Sequence, residues 1–179
     1  DVCSSDLSLT RDNSKVQEAI FSSLFPKHPY GTQTVLGTQE NLKNPSITNI
    51  KNYYKQWYVP NNMAICMSGD LDPDATIALI DKYFGGLKPN PELPKLDLPK
   101  EAPITQPVVK EVLGPDAESV ALAWRFPGVS DKDFEILQVV SQVLYNGKAG
   151  LIDLDLNQQQ KVLNSYGYPM GLADYSALL

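Results

Sequence analysis

Apolar side chains recur at three- and four-residue spacing in four stretches of the chain, which predicts four amphipathic helices. The helices are expected at residues 12–25, after an N-cap at Ser46, from Asp72–Pro73 onward, and after Ser130. Buried positions predicted in the second and third helices are Ile47, Ile50, Tyr54, Trp57, Ile77, Ile80, Tyr83 and Phe84. Ser130 with Asp133 resembles a capping box, and a shorter helix is predicted at residues 150–156.

Other stretches carry the patterns of β-strands. Met63–Met67 is a short continuous apolar run, which predicts a strand buried on both faces. Four further strands are predicted at residues 108–113, 118–126, 161–168 and 173–179. On the second of these, Trp124 is expected in the core and Arg125 at the surface or between domains, and the last strand is expected at an open sheet edge. The predicted fold class is therefore α+β, with helices packed on a mixed, largely antiparallel sheet.

A proline-rich segment separates two blocks of predicted structure. Residues 88–107 contain six prolines interleaved with charged residues, which indicates an extended connector. The blocks on either side cover residues 8–87 and 108–179. The second block is expected to be truncated, since its final predicted strand has only just begun where the sequence stops.

The first seven residues do not fit the pattern of the rest of the chain. Asp1–Leu7 resembles the translation of a common sequencing-adapter end, so these residues are expected to be non-native, and Cys3 with them. The alternative is an ordinary flexible N-terminus.

Composition excludes several classes of function. The 179 residues carry 15 Lys and Arg against 21 Asp and Glu, and the net charge of −6 argues against binding to nucleic acid. Two cysteines and one histidine are too few for a cysteine-based zinc site or for a complete site with several histidine ligands. The sequence shows neither the apolar run of a transmembrane helix nor the pattern of a signal peptide.

Several local patterns suggest sites and fail on closer comparison. Asp70, Asp72 and Asp74 mimic the start of a calcium loop but lack its glycine and its final glutamate, so a turn with a helix cap is predicted. Asn146–Ala149 lacks the first glycine and the final hydroxyl residue of a phosphate-binding loop. His28 lies between prolines without metal ligands at suitable spacing, which favours a local structural role.

A series of short motifs resembles the insulinase/pitrilysin family of zinc metallopeptidases. In the first block they are His28–Gly31, Leu36–Thr38, Tyr58–Met63, Ser68–Asp70 and Lys82–Gly85, in the family's order and spacing. In the second block, Ala123–Pro127 and Leu144–Gly147 look like the next part of the same family's chain. The resemblance covers nearly everything after Leu7 and implies a fold of the mitochondrial-processing-peptidase/insulinase type.

The resemblance also implies a chemistry. Family members cut unstructured peptides in a chamber between two clam-like halves, with zinc held by His-x-x-Glu-His and a distal Glu. This sequence contains no His-x-x-Glu-His, and both parts of the zinc site belong upstream of the region matched here. No catalytic or metal-binding residue is therefore assigned, Glu18 included, and the substrate-binding residues are unknown.

The resulting hypothesis is a fragment of a zinc-dependent metalloendopeptidase that hydrolyses peptides. Residues 8–87 would end the active-site domain and residues 108–179 would start the adjoining one. The parent would hold zinc, whereas the fragment alone would bind none and be inactive. A non-catalytic partner subunit of the same family is the alternative, and an unrelated α+β binding domain is a third possibility. Expected partners are peptides and a second family subunit or the rest of the same chain, and bacterial relatives suggest the cell envelope.

Overall fold

A computed structural model describes residues 10–34, 37 and 39–179 of the chain. The predicted adapter-derived residues and two positions of the Leu36–Thr38 motif lie outside this described part. Two compact units are present, and each is described by itself. Unit 1 combines residues 10–34 with residues 99–179, and unit 2 covers Gly37 and residues 39–98.

The four amphipathic helices predicted from the sequence are present, and two short helices form at Pro29–Thr32 and Gln39–Lys43, where none was predicted. Their bounds are α1 (Asp12–Leu24), α2 (Pro29–Thr32), α3 (Gln39–Lys43), α4 (Ile47–Trp57), α5 (Pro73–Phe84) and α6 (Lys132–Leu144). The structure also contains a 3₁₀ turn at Pro60–Asn62 and a π-helical turn at Asp153–Asn157. The π-helical turn overlaps the short helix predicted at residues 150–156.

Local hydrogen bonds explain where these helices begin. The N–H of Asn49 donates to Oγ of Ser46 at 3.3 Å, and the N–H of Ala75 donates to Oδ1 of Asp72 at 2.9 Å, so both predicted caps are confirmed. The predicted Ser130 cap of α6 is wrong. Asp131 caps this helix instead, because its carboxylate accepts the N–H of Asp133 at 2.9 Å and complements the positive end of the helix.

Unit 1 contains a three-stranded antiparallel sheet. The strands are β1 (Trp124–Pro127), β2 (Pro169–Gly171) and β3 (Tyr175–Leu178), and their spatial order is β1-β3-β2. Ala177 pairs with Arg125 on one side and with Met170 on the other. The last strand is thus the centre of the sheet, and the prediction that it forms an open edge is wrong. Two neighbours satisfy its backbone, whereas the sequence pattern shows only that a strand exists.

Both faces of this sheet are covered by helices. On one face, Leu24 and Phe25 pack against Ala177, and these three residues form the buried core. On the other face, Leu137 and Ser141 of α6 are buried against the sheet. The fold class predicted from the sequence, helices on a largely antiparallel sheet, is confirmed by this arrangement.

Several predicted strands are absent among the described residues. Residues 108–113 have no ladder partner, and the strand predicted at 118–126 forms only from Trp124 onward. The strand predicted at 161–168 gives way to an irregular segment, and β2 begins at Pro169. These segments have suitable side chains, but strand formation requires a hydrogen-bonded neighbour that the described part of the chain does not supply.

In unit 2, most of the apolar side chains of the helices and of the Met63–Met67 segment are exposed to solvent. The Met63–Met67 segment pairs with no strand in the described part of the chain, so the predicted buried strand is not formed. Most apolar positions of α4 and α5 expected inside are exposed, with relative exposures of 67% for Ile47, 63% for Ile77 and 68% for Tyr83. The predicted helices are present, but nothing in the described part of this unit covers their apolar faces.

Candidate functional site

A network of polar and aromatic side chains in unit 1 surrounds the chain's one histidine. This set, the His28 cluster, consists of His28, Tyr30, Glu101, Arg125, Asp174 and Tyr175. It joins the loop between α1 and α2 to the proline-rich segment, to β1 and to the start of β3. Apart from His28, sequence reasoning assigned its members no common site.

His28 is fixed by the backbone around it. It is the N-cap of α2, and its Nδ1 accepts the N–H of Tyr30 at 3.3 Å. Pro29 supplies the first helical residue, for which its fixed φ is suited. The side chain of His28 is 1% exposed and lies edge-on to the rings of Tyr30 and Tyr175. His28 therefore has the local structural role that the sequence favoured.

Gly31 permits this loop to close against α1. A Cβ at this position would lie 2.3 Å from the carbonyl oxygen of Phe25 and 2.4 Å from that of Phe21. These oxygens are main-chain atoms and have little room to move, so a larger residue would push α2 away from the end of α1. The glycine of the His28–Gly31 motif is thus explained by packing.

Glu101 anchors the same loop from the proline-rich segment. Its Oε1 accepts the N–H groups of Lys27 and His28, each at 2.7 Å, and its own N–H donates to the Tyr175 hydroxyl at 2.8 Å. The guanidinium of Arg125 lies 3.9 Å from the other carboxylate oxygen of Glu101. The side chain of Arg125 is 8% exposed, and that of Glu101 is 1% exposed. Glu101 therefore attaches the proline-rich segment to the rest of unit 1.

Arg125 is buried, and its neighbour Trp124 is exposed. The guanidinium donates to the carbonyl oxygens of Leu24 and Ala102 and lies 5.5 Å from the centre of the Tyr175 ring. Trp124 is 51% exposed. The predicted core position of Trp124 is wrong: the paired Arg125 occupies the face of β1 that meets α1 and Glu101, and Trp124, on the opposite face, stays exposed.

Asp174 completes the cluster. Its Oδ2 accepts the Tyr30 hydroxyl at 3.2 Å and lies 3.6 Å from Nε2 of His28. Because Nδ1 of His28 is an acceptor, the neutral ring carries its proton on Nε2, and in the described structure that atom is buried without a hydrogen-bond partner. His28 and Asp174 are therefore close to each other but not hydrogen-bonded.

This geometry does not build a hydrolytic site. A Ser-His-Asp arrangement needs a hydroxyl that donates to the histidine, but Ser176 donates to the carbonyl oxygen of Pro127 at 2.6 Å. Zinc does not fit here either. Nδ1 of His28 is occupied by an N–H, Oε1 of Glu101 accepts two more, and no group of three potential ligands is positioned for a metal within residues 10–34, 37 and 39–179.

The other sequence candidates lie elsewhere. Glu18 is exposed on α1. Asp72 caps α5, as predicted in place of a calcium loop. The side chain of Asn146 accepts the N–H groups of Lys148 and Ala149 at 3.1 and 2.9 Å, which makes this segment a self-bonded turn.

Asp153 was missed by sequence reasoning and organises that turn. Its Oδ2 accepts the N–H groups of Asn146 and Gly150 at 3.1 and 3.0 Å, and the residue is 5% exposed. Burial raises the pKa of this carboxyl, but hydrogen bonds from the backbone of residues 146, 147, 148 and 150 outweigh that effect. The pKa of Asp153 therefore lies below its ordinary value.

The lowered pKa has a consequence for stability at acid pH. The carboxyl of Asp153 holds its proton less tightly in the folded state than in the unfolded state. Its contribution to the free energy of unfolding is therefore complete above the unfolded pKa of about 3.9, and it is lost as the pH falls through the lower folded pKa. We expect the Asp153 carboxyl to titrate by NMR below the midpoint of an unstructured aspartate. Asp153→Asn should destabilise the turn at neutral pH, and Asp155→Asn, a change at an exposed neighbour, should not. A midpoint at or above about 3.9 would contradict this account.

None of the helices in the described residues is both long enough and apolar enough to cross a membrane.

Comparison with known proteins identifies relatives across most of the chain. A family profile described as "Peptidase M16 inactive domain" matches residues 46–178. The zinc protease PqqE of Helicobacter pylori is 27% identical over 164 residues, which is 89% of this chain and 36% of that protein. A probable mitochondrial-processing peptidase subunit beta of Schizosaccharomyces pombe is 29% identical over 85 residues, 48% of this chain and 18% of that protein.

Solved structures share the fold. The first half of the periplasmic protease PqqL from Escherichia coli superimposes with a TM-score of 0.66 at 20% identity, covering 99% of this chain and 39% of that one. A protease from Helicobacter pylori gives a TM-score of 0.60 at 20% identity, covering 97% of this chain and 46% of that one. The chain thus spans less than half the length of these relatives.

Proposed function

The chain belongs to the peptidase M16 family, and from this membership we propose that it is part of a zinc-dependent metalloendopeptidase that hydrolyses peptides. The resemblance to the insulinase/pitrilysin family predicted from the sequence is thereby confirmed. Within the parent protein, this chain would supply non-catalytic structure, and the zinc ligands would come from residues outside it.

The match to the inactive domain of the family is the observation that carries this proposal. Curated relatives named zinc proteases support the peptidase activity of the parent and the presence of zinc in it. The His28 cluster supports a non-catalytic role for this chain within the parent protein, because its one histidine caps a helix and is buried against aromatic rings. The domain boundaries at 8–87, 88–107 and 108–179 remain predictions about the parent.

A non-catalytic partner subunit is the second candidate. The relatives named as subunit beta of the mitochondrial-processing peptidase support the presence of a second subunit, since their name describes one part of an assembly. In that case the parent would carry a degenerate zinc motif and would bind peptides or a second family subunit. The PqqL neighbour is described as periplasmic, which supports a proposed location in the bacterial cell envelope.

Metal analysis and peptide hydrolysis test the proposal. After dialysis, the 179-residue chain should hold far less than one zinc per molecule and should not cleave a quenched fluorescent peptide. The product of the complete gene should hold about one zinc and cleave the peptide in a chelator-sensitive way, because one M16 active site needs one metal-activated water.

His28→Asn provides the control, because asparagine retains an acceptor suited to an N-cap. In the complete protein, this variant should keep the zinc content of the parent. Stoichiometric zinc in the 179-residue chain, or loss of zinc in His28→Asn, would overturn the proposal. A complete protein without zinc or hydrolysis would favour the partner subunit.

A further inference from the structure

The turn that follows α6 contains an asparagine directly before a glycine. Leu144 is the last residue of α6, and Asn146 and Gly147 begin a turn over residues 146–150, which we call the Asn146 turn. Gly147 has φ +78°, in the left-handed region that favours glycine, and a Cβ there would meet no atom of the described structure within 4 Å. The backbone conformation of the turn, and not packing, therefore requires this glycine.

An asparagine in this position can lose its side-chain amide without an enzyme. The main-chain nitrogen of Gly147 gives its proton to a base in solvent and attacks Cγ of Asn146, the Cγ–Nδ2 bond breaks, and the amide nitrogen leaves as ammonia. Water then opens the cyclic imide at either carbonyl, which yields aspartate or isoaspartate. Glycine favours this ring closure because no Cβ hinders the approach of its nitrogen. The reaction needs no co-reactant other than water.

The structure exposes Asn146 to water but holds its amide in three hydrogen bonds. Oδ1 accepts the N–H groups of Lys148 and Ala149 at 3.1 and 2.9 Å, and Nδ2 donates to the carbonyl oxygen of Gln142 at 3.0 Å. Ring closure has to break these bonds, because the amide must turn toward Gly147 and Nδ2 must leave. The closed turn therefore slows the reaction, and opening of the turn permits it.

Asp153 keeps this turn closed. Its Oδ2 accepts the N–H groups of Asn146 and Gly150 at 3.1 and 3.0 Å, and Gly147 contributes a further backbone hydrogen bond to the same carboxylate. The bond from Gly147 occupies the N–H group whose nitrogen must attack. Gly150 lies against the end of α6, since a Cβ there would be 2.6 Å from the carbonyl oxygen of Leu144. The carboxylate thus holds both ends of the turn and the attacking nitrogen in place.

From these contacts we propose that Asn146 is a site of spontaneous deamidation, and that Asp153 sets its rate by holding the Asn146 turn closed. The product cannot rebuild the turn. An aspartate has no Nδ2 hydrogen to donate to Gln142, and it places a second negative charge beside Asp153. An isoaspartate adds a methylene to the main chain and so moves the N–H groups of residues 146 and 147 apart. Deamidation is therefore an irreversible change that leaves the end of α6 without its turn.

Two other asparagines serve as internal references. Asn164 is exposed in an irregular segment, and a serine follows it, so it is accessible but lacks the glycine. The side chain of Asn157 donates to the carbonyl oxygen of Ser165 at 2.7 Å and accepts its N–H at 2.8 Å. Because residues with a Cβ follow both asparagines, each should convert more slowly than Asn146 when the chain is unfolded.

Peptide mapping by mass spectrometry measures the reaction. The 179-residue chain is incubated at mildly alkaline pH, either folded or in urea, and is then digested with trypsin, which separates Asn146 from Asp153 by cleavage after Lys148. In urea, Asn146 should convert first among the asparagines. In the folded chain, it should convert at least about 10-fold more slowly, because the turn has to open before the ring can close.

Variants of two neighbouring carboxylates test the role of Asp153. In the folded chain, Asp153→Asn should bring the conversion of Asn146 to within about 3-fold of its rate in urea, since the turn then opens readily. Asp155→Asn, at an exposed position, should leave the rate of the unsubstituted chain unchanged. The rate at Asn164 should be the same in both variants, which separates opening of the turn from unfolding of unit 1. Should Asp153→Asn fail to fold, Asp153→Glu, which displaces the carboxylate by one methylene, gives the same comparison.

Four results would overturn the proposal. Earlier conversion of another asparagine in urea would remove the site, and equal rates for Asn146 in the folded chain and in urea would show that the turn does not protect it. Equal rates for the Asp153 and Asp155 variants would remove the role of Asp153. Joint acceleration of Asn146 and Asn164 in the folded Asp153 variant would assign that carboxylate to the stability of the whole unit instead.

Discussion

Glu101→Ala is expected to lower the free energy of unfolding of unit 1 by about 3–5 kcal/mol. The change removes the carboxylate that faces Arg125, whose side chain is only 8% exposed, and so leaves a buried cation without its partner. It also removes the acceptor of the Lys27 and His28 N–H groups. The linker segment should then detach from the loop between α1 and α2.

Urea denaturation measured by tryptophan fluorescence provides the test. The chain has two tryptophans, and Trp57→Phe leaves Trp124 of β1 as the reporter for unit 1. Glu101→Gln should have a smaller effect, because the amide oxygen still accepts one N–H. Glu118→Ala, at an exposed position of unit 1, should have nearly no effect. If Glu101→Ala and Glu118→Ala shift the midpoint equally, the buried ion pair does not stabilise the unit.

Phe25→Ala is expected to cost about 3–5 kcal/mol, because truncation of a buried aromatic ring in a core leaves a cavity that the neighbours fill only in part. Phe25 is 0% exposed. Its ring centre lies 5.8 Å from that of Phe21 and 5.6 Å from those of Tyr30 and Tyr175. This one side chain therefore joins α1, α2 and β3.

Phe84→Ala is the matched control. The same side chain is removed, but Phe84 at the end of α5 is 43% exposed and belongs to unit 2. In the Trp57→Phe background, Phe84→Ala should leave the Trp124 transition unchanged, and Phe25→Ala should move it to much lower urea. Similar shifts for both variants would show that unit 1 is not organised around Phe25.

The helices could be predicted because their causes are local. The side chains of Ser46 and Asp72 accept hydrogen bonds from N–H groups only three residues later in the chain. Pro73, the first residue of α5, directly follows the cap at Asp72. The misplaced cap at Ser130 shows the limit of such prediction. Asp131 is one residue away and offers a stronger, charged acceptor, and only the backbone geometry selects between them.

The strands were predicted less well because their pairing is not local. β3 was expected at an open edge, yet it lies between β1 and β2, and its partners along β1 are about 50 residues earlier in the chain. The Met63–Met67 run has strand composition, but no strand among the described residues pairs with it. A sequence pattern shows which segments can pair and does not supply the partner.

The sequence by itself determined the family, the fold class, the helices and the local role of His28, because these follow from short motifs, from hydrophobic periodicity and from contacts within a few residues. The tertiary structure decided that Glu101 and Arg125 pair in a buried position, and that Asp174 lies beside His28. These partners are 24 and 146 residues apart in sequence. Their proximity arises only when α1 and the linker pack on one face of the sheet, since burial and pairing depend on the whole of unit 1.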